Sequence, residues 1–425
     1  MRLTLPPSAG HCRAVALSFA LAAGGALAAP ATIFELTPAS PLHQSTTARG
    51  LNNLGQVVGV SSGRIDTGGV VFDQTRATFW QTPTSGAVTG QALPSDALAV
   101  GRAEAINDAG RIAGRVGDAA YRWAPQSDGS YVLGNPLPNL GTGAYYATDI
   151  NAGGSIVGGY WKCASSDCGT GNFRAWRWNG ITAAPVGTDV GIDTVAHAIN
   201  AAGDVLVSNS FVGSPSSFAV HAADGSVTPV PMPPRVLTTS GGVDMNDSRQ
   251  IAATRLIVPA SGPALRQAFV WSQGVDFDLL HLNPTWGGSA SAINNLGWVV
   301  GSERLDATTF AAALWVGTGL VFDLNDLLSP EDALLWSLEE AVDISDNGWI
   351  TGNGWFTATP DADPVRRGWA MQLSADFIAS LPPGQLFPPP GTVPEPGTLL
   401  LSVAAVLGVA TSRGLRRRQS LGLRV

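Results

Sequence analysis

Five polar side chains, Glu104, Asp149, His197, Asp244 and Asp343, recur on or beside one kind of strand in this chain. Carboxylates gathered in that way are suited to holding a cation or activating water. They do not fall in one register, and each is equally able to pair with a neighbouring strand or with water. Nucleophile signatures are absent: there is no Gly-x-Ser-x-Gly and no His-Glu-x-x-His. Asp343-Ile-Ser-Asp-Asn-Gly348 carries oxygens at alternate positions, as a calcium loop does, but Gly354 stands where the closing carboxylate belongs. No metal and no cofactor is expected.

Cys163 and Cys168 are the only cysteines beyond residue 28 and share one loop, which reads as a local disulfide in an oxidising compartment. The 13 tryptophans divide by placement. Trp80, Trp123, Trp178, Trp271, Trp315 and Trp369 recur on one repeated strand and read as core. Trp161, Trp286 and Trp355 are expected in nonrepeating loop segments, where an aromatic ring suits the apolar face of a sugar or pins a long loop.

What positions these residues is a sevenfold repeat, seen most clearly in Ala147-Thr-Asp-Ile-Asn-Ala-Gly-Gly-Ser-Ile-Val-Gly158. Its turns begin at Asn52, Asn107, Asn151, Asn200, Asn246, Asn294 and Ser345, at spacings of 44 to 55 residues. That is the length of a propeller blade. Asn or Ser opens a type I turn, and glycine stands at the fourth position in every copy but one. Arg249 is the exception, and a positive φ there carries about 1 kcal/mol of strain. Ala48, Ala103, Ala147, Ala196, Gly242, Ala290 and Ala341 precede the turns, as expected where strands converge on an axis and side chains must shrink. A third strand follows, as in Arg174-Ala-Trp-Arg-Trp178, and then a short turn and a fourth strand. The fold class expected is all-β, a seven-bladed β-propeller of four-stranded blades over residues 29–374.

Residues 1–28 carry Arg2 and Arg13, an apolar run and the small-residue site Ala26-Leu27-Ala28, which reads as a secretory signal peptide. Residues 375–396 are proline-rich and read as an extended linker. Residues 397–425 contain an apolar run from Leu399 to Ala410, closed by Arg413, Arg416, Arg417 and Arg418, which reads as a transmembrane helix with a cytoplasmic basic tail. Removing both ends takes away seven arginines and no acidic residue, so the formal charge moves from −8 to about −15. A body that acidic is not a nucleic-acid binder.

The tail, with Pro394, Glu395 and Pro396 ahead of the apolar run and the basic end, resembles the PEP-CTERM sorting signal of Gram-negative surface proteins. The resemblance implies an exosortase-type processing enzyme as partner, transient anchoring in the inner membrane, and association with exopolysaccharide or biofilm. The repeats resemble the HAF family of extracellular repeats in their Ile-Asn-x-x-Gly-x-Val-x-Gly half. They depart in the second half, where Arg76-Ala, Arg174-Ala and Gln267-Ala replace His-Ala. That family implies no activity. The expected function is an exported, cell-surface or extracellular interaction protein with a polysaccharide or envelope partner. The alternative is a propeller hydrolase or lyase acting on glycans. Two connections per blade are tight and two are long, so the long ones share a face, and ligand is expected there near Trp161, Trp286 and Trp355. Residues 32–37 are expected to close the ring as outermost strand of the last blade, with residues 375–379 competing for that place.

Overall fold

The structure, a computed structural model, describes residues 29–382 apart from segments at 68–69, 96–99, 142, 164–170, 188–192, 211–216, 232–242, 260–263 and 360–361. The signal peptide, the Pro394-Glu395-Pro396 motif and the apolar tail lie outside the described residues.

Seven antiparallel sheets follow one another in chain order, forming an all-β, seven-bladed propeller. In the third blade, Tyr145–Ile150 is innermost, followed outward by Ile156–Cys163, Gly171–Trp178 and Ala183–Pro185. Each inner strand alternates: Ala103, Ala147, Ala196, Ala290 and Ala341 are buried, with longer polar side chains between them. The core is a series of layers between neighbouring blades. One joins Val58, Ala77 and Phe79 of the first blade to Ala103, Ile112 and Trp123 of the second. The recurrent tryptophans fill these layers, with Trp80, Trp123, Trp315 and Trp369 fully buried. Three of their indoles latch blades together: Trp80, Trp123 and Trp315 donate to the carbonyls of Thr37, Pro94 and Leu280 at 2.7 to 2.8 Å.

A β-bulge interrupts the inner strand three residues before the turn in the first four blades, the sixth and the seventh, for example between Ala147 and Asp149. The bulge presses the backbone against the second strand, which explains the last glycine of the repeat. A Cβ on Gly158 would lie 1.9 Å from the Tyr146 carbonyl, and one on Gly301 would lie 2.0 Å from that of Ser289.

The ring closes through the N-terminal strand. Ala31–Thr37 pairs antiparallel with Val365–Leu373 as fourth strand of the last blade. Ala87–Thr89, from the first blade's own connection, then adds a fifth strand parallel to it. The competing segment is a helix, Ala375–Ser380, capped by the Ser374 hydroxyl accepting from the Phe377 amide. Phe377 is buried against Phe322, with ring centroids 5.3 Å apart. The packed body therefore continues into the segment that its prolines had assigned to a linker from residue 375, because Phe377 and Leu381 have apolar partners there.

Candidate functional site

The turns do more than reverse the chain. Within each Asn turn the side-chain oxygen accepts the amide four residues on, and in four of the six it also accepts the amide two on, as Asn52 Oδ1 does from Leu54 and Gln56. The amide nitrogen reaches the next blade. Asn52 donates to the Asn107 carbonyl, Asn107 to Asn151, Asn151 to Asn200, Asn246 to Asn294 and Asn294 to Ser345, all at 2.9 to 3.0 Å. This belt rims an axial cavity of about 230 Å³. At the seventh blade Ser345 has no amide to give, and Asn347 donates to the Asn53 carbonyl instead. Between the fourth and fifth blades, Asn200 turns its amide to Asp204, and Arg249 supplies the link with Nε 2.9 Å from Asp204 Oδ2. Arg249 does hold φ at 56°, but its strain accompanies this ion pair. A glycine there would relax the turn and strip a nearly buried carboxylate of its partner.

The five hub side chains fall in two registers, one residue apart. Asp149, Asp244 and Asp343 all stand two residues before the turn, on the third, fifth and seventh blades, where the other blades have Gly50, Ala105, Ala198 and Ala292. Each accepts two amides. One oxygen takes the next residue's amide, and the other takes an amide of the following blade: Ile199, Ile293 and Leu51 at 2.8 to 2.9 Å. Burial raises all three above the ordinary carboxylate range, Asp149 to about 7 and Asp343 to about 8, with mutual repulsion adding to both of these. Glu104 and His197 stand one residue earlier, at the bulge. Glu104 pairs with Arg49 at 2.8 Å, and His197 with the Ser208 hydroxyl at 2.8 Å. Burial drives His197 down to about 4. Among the described residues no group of three or more His, Cys, Asp or Glu side chains is placed to hold a metal ion. The chemistry these oxygens perform here is to tie blades together.

A pH dependence follows. The folded pKa values of Asp149 and Asp343 lie above the unfolded value of about 3.9, so the folded state binds the extra protons and stability falls as pH rises toward 8. His197 is depressed, so its contribution grows up to its unfolded pKa of about 6.5 and is level above it. From pH 6.5 to 8 the carboxylates act unopposed by His197, and the urea midpoint should fall. Asp343→Asn should flatten that decline, and a wild-type midpoint constant across the window would refute it.

Of the three tryptophans expected on loops only Trp286 is on one; Trp161 and Trp355 lie within second strands, Ile156–Cys163 and Trp349–Phe356, toward the ends away from the turns. Trp161 packs edge-on against Phe173, with centroids 5.0 Å apart, and is crowded by Gly143. Trp286 is covered by the Arg304 guanidinium, 4.4 Å from its ring centre. Both are loop pins. Trp355 is 40% exposed and borders an open groove of about 420 Å³ lined by Leu334, Leu335, Trp336, Ser337, Thr357 and Pro364. Its indole nitrogen donates to Glu339 at 2.9 Å, and Arg366, which also bonds Glu339 and Glu340, lies 5.7 Å from its ring. Cys163 is disulfide-bonded, and Cys168 lies outside the described residues.

The fold and these sites define a closed seven-bladed propeller with a hydrogen-bonded hub and one open aromatic groove. No family matches the sequence, and no curated protein matches it. Among solved structures it is similar to the β-propeller domain of the Trilobed protease from Pyrococcus furiosus, which has an open velcro topology. Identity is 9% over 78% of this chain and 96% of that one, with a TM-score of 0.49. It is also similar to prolyl endopeptidases, at 12% identity over 77% of this chain and 50% of theirs, TM-score 0.48. TolB from Acinetobacter baumannii gives 12%, 73% and 79%, with a TM-score of 0.35.

Proposed function

We propose that the protein is a non-catalytic interaction protein of the cell surface or extracellular matrix, binding glycan in the Trp355 groove. The observation that carries this is the part-exposed indole beside an open groove, its nitrogen held by Glu339 and one ring face beneath the Arg366 guanidinium. A sugar ring stacks on such a face, while the carboxylates and guanidinium accept and donate at its hydroxyls. The hub does not favour the hydrolase or lyase reading, since both oxygens of Asp149, Asp244 and Asp343 already serve as acceptors. Export by the residues 1–28 signal, sorting by an exosortase-type enzyme at Pro394-Glu395-Pro396 and a place within exopolysaccharide or biofilm complete the proposal. Their support is the sequence pattern of the two ends.

The test is a neutral-glycan array followed by titration of any hit. Trp355→Ala is expected to weaken binding tenfold or more without changing the melting temperature, because the ring is exposed. Unchanged affinity in that variant would refute the groove.

A further inference from the structure

Arg102 and Arg115 face each other directly across the first and second strands of the second blade, Gly101–Ile106 and Ile112–Val116. Side chains so paired have their Cβ atoms about 5 Å apart, and like charges in that relation repel. A third guanidinium, Arg49 of the first blade, reaches across the gap between blades to Glu104. Glu104 is the carboxylate nearest this group, and Arg49 already occupies it. Among the described residues, Arg102 and Arg115 make no side-chain hydrogen bond or ion pair, and the Nε atoms of Arg102 and Arg49 are shut from solvent without an acceptor. This occurs in a chain with 32 acidic side chains against 24 basic ones. Three guanidiniums sharing one carboxylate are therefore a local exception.

Their place gives the exception a use. Arg102 is the second residue of an inner strand that runs toward the turns, so the cluster sits toward the loop-side end of the axial channel. The turn-side end carries Asp108, Asp247 and Asp346 around its rim, with Asp149, Asp244 and Asp343 beneath. The channel is basic at one end and acidic at the other. Burial, then the charges of Arg49 and Arg115, pull the Arg102 guanidinium below its ordinary value, the direction expected for a cation lacking its counter-ion.

We propose that Arg102 and Arg115, with Arg49 beside them, bind a carboxylate of an acidic glycan, a uronate group, at the loop-side mouth of the channel. Guanidinium forks match a carboxylate in two-point geometry. The acidic body disfavours a dense polyanion such as nucleic acid, which carries a charge every 1.7 Å or so. A glycan with one charge per sugar offers single anionic groups that a recessed site admits. This inference deepens the glycan reading above and rests on it.

The experiment titrates an oligogalacturonate, a neutral malto-oligosaccharide of equal length and inorganic phosphate into the wild type, Arg102→Gln, Arg115→Gln and Trp355→Ala. Oligogalacturonate is expected to bind the wild type and to weaken at least tenfold in either arginine variant. Because each substitution removes a repulsion, the unliganded variants are expected to melt at or above the parent temperature. Unchanged oligogalacturonate affinity in both variants overturns the proposal, as does phosphate binding with the same arginine dependence while the oligogalacturonate does not bind. A lowered melting temperature in Arg102→Gln also overturns it, since the cluster would then be structural. Loss of malto-oligosaccharide binding in Trp355→Ala alone tests the groove, so failure of one site is distinguishable from failure of the other.

Discussion

Deleting residues 30–38 is expected to abolish the single cooperative unfolding transition of the ring. The segment supplies Ala31–Thr37, held on one side by six residue pairs to Val365–Leu373 and on the other by Ala87–Thr89 of the first blade. Ile33, Phe34 and Leu36 are buried, Leu36 completely. Burying three such side chains is worth about 5–9 kcal/mol, comparable with the whole stability of a typical domain at about 5–15 kcal/mol. The loss also strips acceptors from both blades. Trp80 donates to the Thr37 carbonyl and the Thr46 hydroxyl to that of Leu36 at 2.7 to 2.8 Å, while Arg367 pairs with Glu35 at 2.9 Å. The first and last blades then meet with no strand between them, and each exposes an edge. Thermal unfolding by circular dichroism checks this. A deletion variant that keeps the parent melting temperature would refute it. Leu36→Ala, expected to cost about 2–5 kcal/mol, gives a graded version should the deletion fail to express.

The sequence made the ring legible because blade length, turn chemistry and taper repeat seven times, and each copy corroborates the others. The closing strand was legible too, since Thr32-Ile-Phe-Glu-Leu-Thr37 has an outer strand's alternation, whereas Ser374 followed by Ala-Asp-Phe-Ile-Ala is a cap and a helix start. The hub was legible only in part. Its five polar residues do not share one register, because a bulge puts two consecutive positions, such as Thr148 and Asp149, near the axis. Counted back from each turn, Asp149, Asp244 and Asp343 align.

The amide belt left a signal that turn chemistry does not use. Asp opens a type I turn as well as Asn does, yet six of the seven copies have Asn. Only Asn has an NH₂ to donate onward, so the preference marks a second duty, one that ties each turn to its neighbour. What no pattern foretold is which side chains meet once loops of unequal length fold back. Trp286 under Arg304 depends on a nonrepeating segment, where one blade says nothing about the next.

The same limit hid a buried ionic contact between the fifth and sixth blades, and breaking it is the other large effect expected. His281 Nδ1 lies 2.8 Å from Glu303 Oε1, and its Nε2 lies 3.0 Å from Gln267 Oε1. The Gln267 amide nitrogen donates to the carbonyls of Ala268 and Leu279, which leaves its oxygen as the atom facing the imidazole. The imidazole is thus held from both sides. The Glu303 side chain has no exposed surface, and besides His281 its carboxylate accepts from the Leu282 amide at 3.2 Å. It lies so close to the sixth blade's inner strand that a Cβ on Gly288 would fall 1.9 Å from its Oε1. His281→Ala leaves a carboxylate in the blade interface with one amide for company, and removing one partner of a buried pair costs about 3–5 kcal/mol. Replacing the pair with apolar residues of similar volume removes the charge along with its partner, so His281→Leu combined with Glu303→Met should recover most of that loss. Urea unfolding of the two single variants and the double variant measures the coupling. A double variant as unstable as the sum of the singles would show that the two side chains act independently, and would remove the ion pair as the reason these blades hold together.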